Sequence, residues 1–154
     1  MIYLDMGCFV KLYYPEADSA QVIAHIQGKP VCYTPLHELE IVNALQLKVF
    51  FKNATPQQVT AARALVEADL KSGALASAGG DWPNIFREAV KLAEQHTGAV
   101  GCRSLDILHC AAAKVLAASE FISTDARQKT EEGGGGDEFE SGNDLKPRRT
   151  LLNR

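Results

Sequence analysis

The chain has 154 residues, 46% hydrophobic and 23% charged, which is enough apolar material for one sizeable core. A net charge of −3 excludes a protein that holds nucleic acid through a general basic surface, where counterion release supplies the affinity. An acidic pocket that recruits a divalent cation, and through it a phosphate, stays compatible, because the cation inverts the local field.

Taken from the start, Met1-Ile-Tyr-Leu-Asp5 reads as a strand ending in a carboxylate. Gly7 to Tyr14 is then a short helix stopped by Pro15. Asp18 or Ser19 starts a second helix with Val22, Ile23 and Ile26 on its apolar face, ended by Gly28. Pro30 to Thr34 is a second strand, rich in β-formers and bounded by turn residues.

From Pro35 to about Lys52 the spacing predicts a long helix. Leu36, Glu40, Ala44, Leu47 and Phe51 recur at intervals of three and four and share a face. Glu40 therefore stands in an apolar stripe with Asn43 beside it, while Glu38 points nearly opposite. An ionised carboxylate buried without a partner costs several kcal/mol or more, so Glu40 needs a cation, a donor or a metal. A buried salt bridge to a Lys or Arg is the plainer alternative.

Thr55-Pro56 opens another helix, running to about Lys71 and stopping at Gly73. Leu75 to Gly80 is a weak strand or loop, and Gly79-Gly80 belongs to neither a G-x-G-x-x-G nor a Walker A pattern. Asp81-Trp82-Pro83 caps a helix reaching about Thr97. Ser104 reads as the N-cap of the next helix, with Asp106 in the first turn, where free N–H groups favour negative charge. Ile107 to Ala118 is apolar nearly all round, apart from Lys114, and so is expected to be buried on most faces. Glu120 to Thr124 is a brief strand ending at Asp125. Strands alternating with helices predict an α/β fold with a mainly parallel sheet wrapped by helices.

After Gln128 the composition changes to a glycine run (Gly133 to Gly136) among charged residues. Residues 1–128 are thus expected to form the domain and 129–154 a disordered tail. No apolar run approaches the roughly 20 residues that span a bilayer, and the opening strand has no basic lead-in. With four cysteines in no C-x-x-C pairing, a cytoplasmic protein with reduced, buried thiols is expected.

Four carboxylates stand out: Asp5 and Asp125 after strands, Glu40 on a helix face, and Asp106 at a helix start. Each alone has an ordinary reading as a cap or turn former. In a parallel sheet, however, Asp5 and Asp125 share one edge, and a helix starting there brings Asp106 near. Four close carboxylates do not all stay ionised unaided. They suit an oxygen-ligand site for Mg²⁺ or Mn²⁺, able to activate a water against a phosphodiester.

With these residues in view, the sequence resembles the PIN-domain nucleases, with the nearest likeness to VapC-like toxins of toxin–antitoxin modules. The carrying stretches are Tyr3-Leu-Asp5, Glu40-Ile-Val-Asn-Ala-Leu45, Arg103-Ser-Leu-Asp-Ile-Leu-His-Cys-Ala-Ala-Ala113 and Phe121-Ile-Ser-Thr-Asp-Ala-Arg-Gln128. The resemblance implies a PIN-like three-layer α/β/α domain and a metal-dependent endoribonuclease. It also implies an RNA substrate, an antitoxin partner, a homodimer and no membrane. By position, Asp5, Glu40, Asp106 and Asp125 would be the metal ligands, with Thr124 as a nearby hydroxyl and Arg103 as a flanking cation.

The chain departs from that pattern at Gly7, where the family carries a Ser or Thr hydroxyl, and after Gln128, where a final helix and strand are replaced. A non-catalytic PIN-like module binding RNA or protein is the alternative. A further expectation is that Lys146-Pro-Arg-Arg149 folds into the acidic pocket as an inhibitor. Asp106, His109 and Cys110 have the i, i+3, i+4 spacing of a zinc site but no complementary pair, so His109 is read as a packed, hydrogen-bonded histidine. Trp82 is read as core. No nucleophile elbow is present, which argues against an acyl hydrolase.

Overall fold

The structure, a computed structural model, describes residues 1–123; Thr124, Asp125 and the 129–154 segment with Lys146-Pro-Arg-Arg149 lie outside the described residues. Strand β1 (Ile2–Leu4) passes straight into α1 (Met6–Val10), capped by Asp5. The expected run to Tyr14 stops early as a helix. Leu12 and Tyr13 donate instead to the carbonyls three residues back, Phe9 and Val10, at 3.1 Å each. Pro15 explains the tightening, since it disfavours helical backbone at Tyr14 and has no N–H of its own.

Helix α2 (Ser19–Ile26) buries Val22 and Ile26 and leads to β2 (Val31–Tyr33). Helices α3 (Pro35–Phe50) and α4 (Pro56–Ser72) each open on Thr-Pro, the threonine hydroxyl accepting from the third backbone N–H. Gly73 ends α4 at φ +80°, a left-handed cap that suits glycine. After β3 (Leu75–Ser77), Asp81 caps α5 (Trp82–Leu92). A π-helical turn (Ala93–Thr97) and the single turn α6 (Gly98–Val100) break up the expected long helix. Helix α7 (Ser104–Val115) and β4 (Glu120–Ile122) complete the described fold.

The sheet has order β3-β2-β1-β4, with every pairing parallel. Alternation along each strand sends side chains to two separate cores. Ile2, Leu4, Val31, Leu75 and Ile122 face the layer of α1 to α4. Tyr3 and Cys32, with the partly buried Phe121, face α5 and α7. The fold is thus a three-layer α/β/α arrangement, as the α/β patterning predicts. Among the described residues no helix is long and apolar enough to cross a membrane. All four cysteines are buried and in no disulfide.

Two further local expectations need correcting. The buried row of α3 is His37, Ile41 and Leu45, with Leu36 beside it, whereas Leu47 and Phe51 are 43% and 63% exposed. The phase is displaced because His37, polar by type, is a core residue. Glu40 therefore lies at the border of the buried face, not inside a stripe. Ser104 is the first residue of α7, and its N-cap is Arg103. Asp106 satisfies this end of the helix by reaching back to the Arg103 N–H at 3.4 Å.

Candidate functional site

The carboxyl ends of parallel strands share an edge. From β1 the chain builds toward β2 and β3 on one side, and β4 adds on the other, so the order reverses between β1 and β4. In open α/β sheets this switch point is where ligands bind. Asp5 and Ser123 meet there because the register pairs Leu4 with Ile122. The Ser123 hydroxyl donates to Asp5 Oδ2 at 2.7 Å, and the Cys8 N–H donates to Oδ1 at 2.6 Å. Asp5 is buried. A hydroxyl thus reaches the first aspartate from the end of β4, although position 7 is glycine.

Beside Asp5, a polar network runs under the same edge. His37 Nε2 donates to the Leu4 carbonyl at 2.8 Å, so its Nδ1 is the acceptor. It accepts from the Thr34 hydroxyl at 2.8 Å and the Thr34 N–H at 3.2 Å. Burial, reinforced by the neighbouring His109, pushes the His37 pKa down to about 3 and keeps the ring neutral. The His37 and His109 ring centres are 5.2 Å apart, and the Tyr3 ring packs against both. Tyr3 OH meets His109 Nδ1 at 3.0 Å, and burial raises the Tyr3 pKa well above its ordinary value.

His109 Nε2 lies 2.5 Å from Glu40 Oε2. The glutamate side chain is 17% exposed and the histidine 2%, so the pair runs from the core to the rim of the edge. Glu40 thus has a charge-assisted hydrogen-bonding partner, but it is a histidine from α7 where a Lys or Arg was the expected alternative. Asp106, three residues before His109 on α7, accepts from Arg103 Nε at 3.0 Å. The Arg103 side chain is 74% exposed. Asn43 is exposed one turn beyond Glu40.

Of the four expected ligands, Asp5 stands at this edge directly after β1, Glu40 on α3 is tied to α7 through His109, and Asp106 lies three residues before His109 on α7. Asp125, with Thr124, lies outside the described residues. Among the described residues no group of three or more His, Cys, Asp or Glu side chains gathers closely enough to hold a metal. The donor chemistry nonetheless suits a hard cation. Among the described residues Glu40 and Asp106 each engage one oxygen with protein, and the Asp5 oxygens accept one hydrogen bond apiece, which leaves each a second lone pair toward them. The zinc-like spacing makes no site, because both His109 nitrogens face protein partners and Cys110 is buried in the α7 core.

Ser123, Tyr3, His37 and the role of His109 were not legible as site residues. Ser123 reaches Asp5 across 118 positions, and Tyr3 reaches His109 across 106. The available signal was polar: a tyrosine inside an apolar strand and a histidine at a core position of α3. The chain matches no protein-family profile and no curated protein.

Proposed function

We propose that the chain is a metal-dependent endoribonuclease of the PIN type, the toxin of a toxin–antitoxin module, cutting RNA phosphodiesters at the carboxyl edge of its sheet. One observation carries the reading. Asp5 follows β1 at the edge where the strand order reverses, and Tyr3 of the same strand is joined through His109 of α7 to Glu40 of α3, with Asp106 three residues before His109.

With Asp125 as the fourth ligand, these residues would hold Mg²⁺ or Mn²⁺, which when bound supplies charge neutralisation at phosphate and an acidified water. Asp5 gains orientation from the Cys8 N–H and the Ser123 hydroxyl. Arg103 keeps donors beyond its Nε for a substrate phosphate, and its exposure gives that phosphate access. An antitoxin and a second copy of the chain are the proposed protein partners. Support comes from the apolar side chains of Leu39, Phe50 and Phe51, which are 64%, 75% and 63% exposed around α3.

The test is cleavage of structured RNA by the full chain with Mg²⁺ or Mn²⁺. Asp5→Asn and Asp106→Asn are each expected to lower the rate at least about 100-fold, and Asn remains a good helix cap at position 5, which separates chemistry from folding. Unchanged cleavage in either variant overturns the reading. The second reading, a non-catalytic PIN-like RNA- or protein-binding module, is favoured by the local engagement of Asp5 and Asp106 as helix-end groups. It predicts metal-independent binding that survives Asp106→Asn.

A further inference from the structure

We infer that His109 is a positioning residue for Glu40: its Nε2–H holds one carboxylate oxygen, and the Tyr3 hydroxyl, donating to Nδ1, fixes the tautomer that makes this possible. The direction of each hydrogen bond follows from what its end groups can do. The Leu4 carbonyl only accepts, so His37 donates from Nε2 and accepts at Nδ1. The Thr34 hydroxyl proton is then committed to His37. For His109 the Glu40 carboxylate decides: it only accepts, so the ring presents Nε2–H to it, and the tautomer that does so leaves Nδ1 to accept from the Tyr3 hydroxyl.

The clamp joins three elements. Tyr3 is on the central strand, His109 on α7 and Glu40 on α3, and both Tyr3 and His109 are almost wholly buried. A ring packed between Tyr3 and His37 has little freedom to rotate, so the carboxylate it holds is fixed to the sheet. Among the described residues the contact engages Oε2, so Oε1 is the oxygen that a cation would meet. A Lys or Arg at the same place would bring a full positive charge against the cation. This consequence for metal binding rests on the proposed function, whereas the orientation of Glu40 does not.

Two measurements test the inference. In the ¹⁵N-labelled full chain, the imidazole spectrum is expected to show a proton on His109 Nε2, with a signal that shifts in Glu40→Leu and stays in Asp106→Asn. A bare Nε2, or a signal indifferent to Glu40→Leu, overturns it. In Mn²⁺ titrations by calorimetry, His109→Gln, whose amide nitrogen can donate from nearly the Nε2 position, is expected to bind within about threefold of wild type. His109→Asn, too short to reach Glu40, is expected to bind roughly 10–100-fold more weakly, the usual effect of losing a partner that orients a ligand. Equal affinity in all three proteins overturns the inference and leaves the metal-dependent reading standing. Failure of the folded wild type to bind Mn²⁺ overturns that reading instead, and the imidazole spectrum then decides the inference alone.

Discussion

The two edges of the sheet each carry a histidine–glutamate pair, and the pairs differ mainly in their access to water. At the carboxyl edge, His109 and Glu40 have side chains 2% and 17% exposed, and Tyr3 fills the other imidazole nitrogen. At the amino edge, His25 Nε2 meets Glu120 Oε1 with side chains 26% and 33% exposed, and Lys29 stands 3.4 Å from the second oxygen. Water can replace either partner at the amino edge, so such contacts contribute about 0–1 kcal/mol. At the carboxyl edge a lost partner leaves a desolvated donor, which costs about 1–3 kcal/mol. The same two residue types therefore make a determinant of structure at one edge and an incidental contact at the other.

The sharpest break in that contrast is expected at His37. His37→Ala strands the Leu4 carbonyl and Thr34 and opens a cavity, lowering stability by about 3–5 kcal/mol in chemical denaturation. His37 also sets a pH dependence. Its folded pKa is depressed to about 3 by burial and by His109, so the unfolded chain binds the extra proton between the ordinary value of 6.5 and that point. The contribution of His37 is complete above pH 6.5 and falls as pH drops through that window, by up to roughly 1.4 kcal/mol per unit. Denaturation midpoints that do not move across this range would contradict a neutral, buried ring.

The glutamates come next. Glu40→Leu is expected to cost about 1–3 kcal/mol and Glu120→Leu less than about 1 kcal/mol, measured in the same denaturant series. Equal costs would erase the distinction between the edges. The smallest effect belongs to Ser119→Ala at the amino edge, where the hydroxyl meets the Met1 ammonium at 3.1 Å and carbonyl at 2.9 Å in an exposed setting. A loss above about 0.5 kcal/mol there would show that water is a poorer substitute than supposed.

The strands and most helix ends were legible because their signals are local. Apolar triplets beside turn residues marked β1 and β2, a Phe-Ile pair marked β4, and Thr-Pro openings marked α3 and α4. The phase of α3 was lost through His37, since a histidine satisfied by Thr34 and the Leu4 carbonyl behaves as core while counting as polar in a pattern. Asp5, Glu40 and Asp106 could be singled out one by one from the sequence as candidates. Their partners could not, because Ser123 for Asp5 and His109 for Glu40 are set by sheet register and helix docking, which no short window of sequence encodes.

The pairing of β1 with β4 has a consequence for synthesis. Strand β1 is made well before β4, yet one of its two edges stays uncovered until residues 120–122 leave the ribosome. At about 5–20 residues per second, that interval lasts several seconds. A contact joining positions 5 and 123 also carries a high loop-closure cost, which slows its formation. The Asp5–Ser123 contact therefore waits for β4, and a nascent chain lacking β4 holds Asp5 without the hydroxyl that orients it.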